Sequence, residues 1–401
     1  MQMTIVFGEK MKAVILAAGK STRTYPLTLT KPKPLLKIAN KTILEHNLDQ
    51  FMGLVDEVII IVGYKKEMIK DFVGNYYNGL KVTFITQNEQ MGNGHALMQA
   101  KELLNEKFIV INGDDLFFRE DIENCIRHEY CIAVIKKEEM KNCGAVYVEG
   151  EKVINLVEKE ENPKTNLANI GLYIFGPKIF EHKLEKSSRG EYEITDFVGY
   201  LASKGIINYE LAERWCPIVY PWSIIEANEY LLKMITNKIE GEVEPNATIK
   251  GKIHLGEGSI IKNGAYVEGN VVIGKNCVIG PNCYIRGYTA IGDNCKIGNA
   301  VEIKNSVLNN NVHVGHLSYI GDSVLGENVN IGAGTITANL RHDNSNVKSM
   351  ICGKLIDTGR RKFGTIIMDN IKTGIKTTIY PGRKLLRNTM PAEVIKEECV
   401  G

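Results

Sequence analysis

The second half of the chain repeats with a period of six residues. Every sixth position holds Ile, Leu or Val over ten consecutive units, at 249, 255, 261, 267, 273, 279, 285, 291, 297 and 303. If about a quarter of residues were of these three types, ten such matches would arise by chance roughly once in a million trials. This pattern predicts a parallel β-helix in which each unit forms one flat face and three units form a coil.

Residues 18 apart should stack in such a β-helix, so we expect Cys277 to lie above Cys295 as a small core residue. The chain has 9 cysteines and no Cys-x-x-Cys pair, which argues against a disulfide framework or a zinc knuckle. The register slips after Ile303 and again after Ile320, and an insertion with basic residues at 359–362 precedes a last partial coil. Solenoids of this kind require capping or association at their ends and flanks.

The first half of the chain alternates apolar runs with amphipathic stretches. Helices are predicted at 42–54, 65–73 and 94–104, and strands at Lys12–Ala17, Glu57–Val62, Lys81–Thr86 and Phe108–Asn112. This alternation indicates βαβ units and a Rossmann-like domain with a mainly parallel sheet. Ligands of such sheets bind at the carboxyl ends of strands, here at 17–19 and 113–114.

The predicted organisation has four parts. Residues 1–10 are a leader or a start-site extension, 11–236 form the first domain, 237–246 a linker and 247–401 the β-helix, with a last helix near 222–239 leading out of the first domain. Lys plus Arg is 49 and Asp plus Glu is 47, a balance that argues against a general nucleic-acid binder. Because no apolar run approaches the ~20 residues of a membrane span and residues 1–10 lack the plan of a signal peptide, we expect a cytoplasmic protein.

A glycine loop follows the first predicted strand. The loop begins with Leu16, Ala17, Ala18 and Gly19. Small residues at the end of a strand let backbone N–H groups approach phosphate oxygens, while Arg23 and Lys33 can neutralise the charge of the phosphates. The segment is neither a Walker A loop nor GxGxxG. As a whole, LAAGKSTRTYPLTLTKPKPL resembles the signature of sugar-1-phosphate nucleotidylyltransferases. With the β-helix behind it, the chain resembles the bifunctional N-acetylglucosamine-1-phosphate uridylyltransferases/glucosamine-1-phosphate N-acetyltransferases of archaeal type, from about residue 11 to 382.

The resemblance implies roles for further residues of the first domain. Gln87 and Gly92, with Asn93 in place of the usual Thr, match the segment that reads the pyrimidine; Gln87 would bond the base edge and Gly92 would let the backbone approach it. Residues that match the sugar-binding series are Gly144, Glu158, Lys159 and Asn169. Asp114 matches the carboxylate that holds Mg²⁺ between the phosphates.

The sequence departs from the family pattern at the second metal ligand. Relatives commonly carry Asp two residues after a Trp near the end of the domain, whereas this chain has Trp215, Cys216 and Pro217. Proline cannot bind a metal, which leaves Asn228 or Glu226 as candidate substitutes, and the spacing does not establish either of them.

A second motif lies where the six-residue register slips. The segment HLSYIGD, followed by NVNIGAGTITAN, resembles the acetyltransferase motif of the same family. The resemblance makes His316 the general base that takes a proton from the sugar 2-amine, a task suited to a pKa near neutrality. Residues that match substrate contacts are Arg286, Lys304, Tyr319, Asn330, Asn339 and Lys348.

The sequence therefore predicts a bifunctional enzyme that acetylates glucosamine-1-phosphate with acetyl-CoA and couples the product to UTP with Mg²⁺. One alternative is a glucose-1-phosphate thymidylyltransferase or uridylyltransferase, using dTTP or UTP, with a non-catalytic β-helix. A second alternative is a non-catalytic binding or exchange-factor module. The predicted partners are sugar phosphates and nucleotides, without nucleic acid or membrane, and the resemblance implies a homotrimer associated through the β-helix.

Overall fold

The computed structural model describes residues 11–140 and 143–400, so the predicted leader, residues 1–10, lies outside the described residues. The chain forms two compact units. Unit 1 contains residues up to 20, 32–35 and 43–217, and unit 2 contains 21–31, 36–42 and 218–401. Two short segments from the first half of the chain and its last helix thus group with the β-helix. Within the described ranges, no helix is long and apolar enough to cross a membrane.

Unit 1 contains most of the helices and the longest strands. The strands of the first half of the chain are β1 Lys12–Ala17, β2 Lys37–Ile38, β3 Lys41–Thr42, β4 Glu57–Val62, β5 Tyr76–Tyr77, β6 Leu80–Thr86, β7 Phe108–Asn112, β8 Cys131–Lys136, β9 Gly144–Glu149, β10 Lys152–Glu158, β11 Leu167–Phe175 and β12 Asn208–Leu211. The helices are α1 Ile43–Phe51, α2 Lys66–Val73, α3 Asn93–Met98, α4 Arg119–Ile126, α5 Ile194–Ser203 and α6 Ser223–Lys233. Short 3-10 helices lie at Thr22–Thr24, Leu27–Leu29, Lys33–Leu35, Lys101–Leu103 and Pro177–Glu181.

The sheet of unit 1 has ten strands in the order β5-β6-β4-β1-β7-β11-β8-β12-β10-β9. The four strands β6, β4, β1 and β7 are parallel, as the βαβ pattern predicts. The second half of the sheet differs, because β11 runs antiparallel to β7, β8 and β9, and β9 and β10 form an antiparallel pair. The apolar runs of β1 and β4 are buried on both faces, which is why these two strands lie in the parallel centre.

Most of unit 2 is the predicted β-helix. Its strands are β13 Lys238–Ile239, β14 Glu242–Val243, β15 Thr248–Lys250, β16 Ile253–Leu255, β17 Ile260–Ile261, β18 Tyr266–Glu268, β19 Val271–Ile273, β20 Val278–Ile279, β21 Tyr284–Arg286, β22 Thr289–Ile291, β23 Lys296–Asn299, β24 Glu302–Lys304, β25 Val307–Leu308, β26 His313–His316, β27 Tyr319–Gly321, β28 Val324–Leu325, β29 Asn330–Ile331, β30 Ile336–Thr337, β31 Lys348–Ile351, β32 Lys354–Asp357, β33 Thr365–Ile367, β34 Thr378–Ile379, β35 Arg383–Leu385, β36 Val394–Ile395 and β37 Cys399–Val400.

Apart from β31 and β32, which pair with each other, these strands form three parallel sheets, the arrangement of a left-handed β-helix. Face 1 runs from β13 to β37, face 2 from β14 to β29 and face 3 from β15 to β36, each containing every third strand of the coils. The branched residue of each unit is directed inward, so Ile279 and Ile297 are fully buried neighbours in one core column. The expected cysteine stack is confirmed, because the Cys295 backbone N–H lies 3.4 Å from Cys277 Sγ and both residues are buried.

The register slips have a structural counterpart. Val307 of β25 pairs with Ala290, only 17 residues earlier, whereas preceding coils repeat every 18 residues. Later, β33 pairs with β28 at a separation of 42 residues, because an antiparallel hairpin of β31 and β32 is inserted between them. The β-helix therefore continues beyond this insertion.

Candidate active sites

The carboxyl end of β1 forms the base of the first candidate site. The Leu16 carbonyl accepts a hydrogen bond from the Gly113 N–H at 2.9 Å, so the two predicted strand ends are adjacent. The Ala18 carbonyl accepts bonds from the Tyr64 N–H and from Gln90 Nε2. Gly19 is exposed with open space around its Cα, which leaves room for a phosphate beside its backbone.

Lys33 and Asp114 are brought together over this strand end. Lys33 lies on a short 3-10 helix and is only 4% exposed, and its Nζ is 2.8 Å from Asp114 Oδ2. Asp115, which sequence reasoning did not select, lies next to them, with Oδ1 at 3.9 Å from Lys33 Nζ. In the described part of the chain, no three His, Cys, Asp or Glu residues form a metal cluster. Two adjacent carboxylates fit a Mg²⁺ ion that takes its other ligands from phosphates and water.

The Trp215–Pro217 stretch passes beside this pair. Leu116 and Cys216 form an antiparallel bridge, so Pro217 follows directly on the strand neighbour of Leu116. Burial, with a smaller contribution from the charge of Asp115, raises the pKa of Cys216 to about 12, so its thiol is neutral and a poor metal ligand.

Neither residue considered as a substitute ligand is suited to that role. Asn228 is completely buried in unit 2, where its Oδ1 accepts the Ala39 N–H and its Nδ2 donates to the Tyr288 carbonyl. Its amide is therefore used in packing. Glu226 also belongs to unit 2 and pairs with Arg360 at 3.4 Å. Asp115 is the second carboxylate of the first candidate site.

Gln87, Gly92 and Asn93, the residues predicted to read the base, lie together. Gly92 and Asn93 also contact the segment that leads into α5. Gln87 is buried and its Nε2 donates to the Gly92 carbonyl at 3.0 Å. A Cβ on Gly92 would overlap the Tyr192 backbone, so packing against this segment also requires a glycine here, and the approach of the base stays a prediction. Asn93 Oδ1 accepts the N–H of Ile194 at the start of α5.

Three of the four predicted sugar-binding residues form one cluster. Glu158 pairs with Gly144 across β10 and β9, and a Cβ on Gly144 would contact both Glu158 Oε1 and Asn169. Burial raises the pKa of Glu158. Asn169 Nδ2 donates to Tyr173 Oη at 2.8 Å. The fourth residue, Lys159, is exposed and its backbone N–H bonds the Cys143 carbonyl, which leaves its side chain at the rim.

Arg23 belongs to unit 2 rather than to the unit of Lys33 and Asp114. It is exposed on the 3-10 helix Thr22–Thr24, in the segment 21–31 that packs on the β-helix. The buried Lys31 ammonium lies 3.2 Å from Asp369 and 2.9 Å from Glu327. The buried Lys384 ammonium donates to the Tyr25 carbonyl at 2.8 Å. Two buried lysines therefore hold the segment that carries Arg23.

The second candidate site lies on face 3 of the β-helix. Lys304 Nζ is 2.7 Å from Asp322 Oδ2, and Asn339 Nδ2 donates to that same oxygen. Asn339 Nδ2 also lies 3.0 Å from Tyr319 Oη. Lys304 and Asn339 are thus joined through Asp322, and Tyr319 is joined to them through Asn339. The motif contains Asp322, but sequence reasoning does not assign it a role.

Arg286 lies one coil before this cluster, paired in register with Lys304. Its Nε donates to Glu302 at 2.7 Å, and this hydrogen bond raises the pKa of Arg286 although burial acts in the opposite direction. Burial raises the pKa of Tyr319, and the charges of Asp322 and Glu302 add to the effect. Tyr319 therefore keeps its phenolic proton near neutral pH.

The other predicted acetyltransferase residues are not joined to this cluster. His316 is exposed at the end of β26 on face 2, followed by Leu317, which is 64% exposed. Asn330 is exposed on the next strand of face 2, and Lys348 is exposed on the inserted hairpin. No hydrogen bond or ion pair between described residues links these three side chains to Lys304, Tyr319 or Asn339.

Exposed apolar side chains and a cavity lie on the coils that carry this cluster and on the coils that follow. Large apolar residues that are at least 39% exposed occur on face 3, at the corner before it and beside Asn339: Leu317, Ile336, Leu340, Ile375, Met390 and Val394. A cavity of about 510 Å³ is lined by Ala338, Leu340, Tyr380 and Pro381 together with Arg341, His342 and Arg383. It combines an apolar wall with two arginines, of which Arg341 pairs with Asp343 of the same lining and Arg383 pairs with Glu398.

Two family models match the chain. The model of nucleotidyl transferases matches residues 12–234, and a model described as the GMPPB C-terminal domain matches residues 267–362. A crystal structure of a putative glucose-1-phosphate thymidylyltransferase from Bacillus anthracis is similar to this chain, with 26% identity and a TM-score of 0.52. The similarity covers 57% of this chain and 97% of the chain in that structure.

Full-length relatives extend the similarity through the β-helix. The bifunctional protein GlmU of Methanocaldococcus jannaschii is 43% identical over 94% of this chain and 92% of its own length. The bifunctional sugar-1-phosphate nucleotidylyltransferase/acetyltransferase of Sulfurisphaera tokodaii is 38% identical over 94% of both chains. The candidate sites on both units and this continuous similarity lead to one conclusion: the chain belongs to the family of archaeal bifunctional sugar-1-phosphate nucleotidylyltransferase/acetyltransferases.

Proposed function

We propose that the chain is a bifunctional enzyme of nucleotide-sugar synthesis. It acetylates the 2-amine of glucosamine-1-phosphate with acetyl-CoA and transfers UMP from UTP to N-acetylglucosamine-1-phosphate, with release of pyrophosphate. The observation that carries this proposal is the similarity to bifunctional relatives over 92–94% of their length, which includes both the glycine loop and the HLSYIGD segment.

In nucleotidyl transfer, a phosphate oxygen of the sugar attacks the α-phosphorus of UTP in line and pyrophosphate leaves. Lys33 and Arg23 neutralise charge on the phosphates, and the open backbone at Gly19 binds them. Asp114 and Asp115 would hold Mg²⁺, which supplies charge neutralisation when bound. No covalent intermediate with the protein is needed, so positioning and electrostatics account for the catalysis.

The first domain, 11–236, also supplies the binding groups for base and sugar. Gln87 Oε1 is oriented by the two contacts of the neighbouring Nε2, which support a role as the acceptor for a base N–H. The half-buried Glu158, with Gly144 and Asn169, supports binding of sugar hydroxyls, and the exposed Lys159 supports a contact to the sugar phosphate. Asn93 contributes by holding the start of α5, behind this pocket.

In acetyl transfer, His316 takes a proton from the sugar amine, which attacks the thioester carbon of acetyl-CoA. Arg286, Lys304 and Lys348 bind the sugar phosphate, while Tyr319, Asn330 and Asn339 contact the sugar. The cavity beside Asn339 supports binding of an extended thiol ester, because its wall is apolar and its lining includes two guanidinium groups that can donate to phosphates. Arg341 is paired there with Asp343, and Arg383 is paired with Glu398.

The β-helix, residues 247–401, also associates into a homotrimer. Leu317 and Ile375, more than half exposed at the corner before face 3, support an apolar interface between copies. Association would bring His316 of one copy to face 3 of another copy. This arrangement would account for the finding that, among the described residues of one chain, no hydrogen bond or ion pair joins the His316 ring to Lys304, Tyr319 or Asn339. Because the substrates are cytoplasmic metabolites, we place the reaction in the cytoplasm.

A two-channel assay on the purified protein with Mg²⁺ tests the function. One channel follows pyrophosphate release from UTP or dTTP with N-acetylglucosamine-1-phosphate or glucose-1-phosphate. The other follows thiol release from acetyl-CoA with glucosamine-1-phosphate. We expect both channels to be active. Pyrophosphate release alone would make the β-helix a scaffold, and inactivity in both channels would favour a binding module.

A further inference from the structure

We propose that Asp322 is a positioning residue of the acetyl-transfer site, with the task of orienting Lys304 and Asn339 toward the amino-sugar phosphate. This inference rests on the proposed acetyltransferase function. Asp322 itself would not touch the substrate, because its carboxylate is covered by the side chains that it holds.

The carboxylate of Asp322 is almost inaccessible. Its side chain is 3% exposed, and it lies at the corner between faces 3 and 1. Oδ2 receives Lys304 Nζ and Asn339 Nδ2, while Oδ1 receives Asn305 Nδ2 at 3.0 Å. A buried carboxylate with three side-chain donors is fully satisfied, so its position is strongly determined.

The backbone of Asp322 is equally constrained. Its φ of 49° lies in the left-handed region, its N–H donates to the Lys304 carbonyl at 2.8 Å and its carbonyl accepts the Gly364 N–H at 2.9 Å. Gly364 belongs to the stretch that follows the inserted hairpin. Asp322 therefore connects the coil before it with the coil after the insertion, and these backbone bonds fix the position of its Cα, from which the carboxylate reaches its three donors.

Asp322 decides which way the Asn339 amide faces. The two hydrogens on Asn339 Nδ2 are directed at Asp322 Oδ2 and Tyr319 Oη. With its nitrogen committed, the amide must present its carbonyl oxygen on the other side. Because Tyr319 Oη accepts from Asn339, its own O–H is left to donate to another group. The result is one acceptor and one donor in fixed positions.

Asp322 also changes what Lys304 can do. The Asp322 carboxylate balances the positive charge of the Lys304 ammonium and holds it in place, with 15% of the Lys304 side chain exposed. Arg286 is likewise paired with a carboxylate, that of Glu302. Lys304 thus offers directed N–H groups to a phosphate rather than a free positive charge. A rigid set of one directed cation, one acceptor and one donor suits a phosphorylated sugar that carries an amine.

The test compares Asp322→Asn with Asp293→Asn. Asp293 lies at another corner of the β-helix and accepts the Lys275 N–H at 2.8 Å, outside the acetyl-transfer site. We expect Asp322→Asn to raise the KM for glucosamine-1-phosphate about tenfold and to lower kcat of thiol release. The KM for acetyl-CoA and the rate of pyrophosphate release should remain at wild-type values, and Asp293→Asn should match wild type in every parameter.

A milder variant keeps the proposal testable if Asp322→Asn does not fold. Asn305→Gly removes one donor from the carboxylate without changing its charge, and glycine already occupies this corner at 269 and 287. We expect a several-fold rise in KM for glucosamine-1-phosphate only. A double variant with Lys304→Met should lose little beyond Asp322→Asn alone, because the two residues act as one unit.

The outcomes separate the two proposals. If wild type releases no CoA thiol, the acetyltransferase function fails and the role of Asp322 fails with it. If wild type is active and the Asp322 and Asn305 variants leave the KM for glucosamine-1-phosphate unchanged, only the role of Asp322 is overturned. Equal loss in the glucosamine-1-phosphate and acetyl-CoA parameters would also overturn it, since that is the result of general unfolding of the β-helix.

Discussion

The two units assemble their candidate sites in different ways. In unit 1, Lys33, Asp114 and the end of β1 converge within one chain, because parallel strands direct their carboxyl ends to a single edge. In the β-helix, Lys304, Tyr319 and Asn339 converge on face 3. His316 is exposed at the end of face 2, and no hydrogen bond or ion pair among residues 11–140 and 143–400 links it to them.

This difference reflects the two architectures. A doubly wound sheet has one crevice where loops from distant strands meet, so a single copy can complete a site. A solenoid has only nearest-neighbour contacts between coils, and residues on different faces diverge unless another surface covers them. We therefore expect nucleotidyl transfer to be independent of assembly and acetyl transfer to depend on it.

The largest effect is expected from Asp114→Ala. Loss of this carboxylate removes a proposed metal ligand and the partner of Lys33, which should slow pyrophosphate release about a thousandfold, or by about 4 kcal/mol of transition-state stabilisation. Thiol release should not change. Asp71→Asn, an exposed carboxylate on α2, is the control for both channels. A parallel loss of thiol release would contradict the independence of the two sites.

His316→Ala should affect the opposite channel. Removal of a general base costs about 10²–10⁴ in rate, so we expect thiol release to fall by about 10³ while pyrophosphate release is retained. His313→Ala is a matched control, because His313 is also exposed and lies on the same strand. If His313→Ala were as damaging as His316→Ala, the assignment of the base would be wrong.

Leu317→Glu tests the dependence on assembly directly. A carboxylate at the proposed apolar interface must be desolvated, so we expect the oligomer to dissociate and thiol release to fall about tenfold. Sedimentation velocity measures the oligomer, and the two-channel assay measures the consequence. Ile154→Glu, at an exposed apolar position in unit 1, is the control. A dissociated protein with full acetyltransferase activity would disprove the comparison.

The smallest effect is expected at the anchor of segment 21–31, which comes from the first half of the chain but groups with the β-helix. Asp369→Asn weakens this anchor, because Lys31 keeps Glu327 but loses a charged partner. A cost of about 1 kcal/mol corresponds to roughly a fivefold higher KM for UTP.

Glu257→Gln is the control for this variant, since Glu257 occupies the same corner of the second coil and 79% of its side chain is exposed to solvent. A change in KM for glucosamine-1-phosphate rather than for UTP would show that Asp369 acts on the β-helix site and not through the segment that carries Arg23.

Local patterns predicted much of both units. The strands Lys12–Ala17, Glu57–Val62 and Phe108–Asn112 have the bounds that their apolar runs indicate, and the coils follow the six-residue period. The antiparallel half of the sheet escaped prediction, because only β9 and β10 form a hairpin, whereas β11 pairs with β7, β8 and β9 across longer connections whose pairing no local pattern indicates. Helix α3 is also shorter than predicted, ending at Met98 and followed by a 3-10 turn at Lys101–Leu103.

Several contacts of the candidate sites could not be predicted. Gly92 resembles a base-binding glycine, but the Tyr192 backbone, 100 residues later, occupies the space beside it. Asn228 resembles a spare metal ligand, but its amide is used by Ala39 and Tyr288. A motif can indicate that a residue type is required, whereas its hydrogen-bond partners depend on chain segments that approach only after folding.

The sequence alone determined the repeat, the glycine loop and the order of the motifs, because each depends on spacing over fewer than about 20 residues, where covalent geometry and side-chain periodicity decide the outcome. Only the tertiary structure decided that Asp322 would join Lys304 to Asn339 and that segment 21–31 would group with the β-helix. The first arrangement joins residues on three successive coils, and the second includes a bond between Thr30 and Asp369, which are 339 residues apart, so no local period contains either.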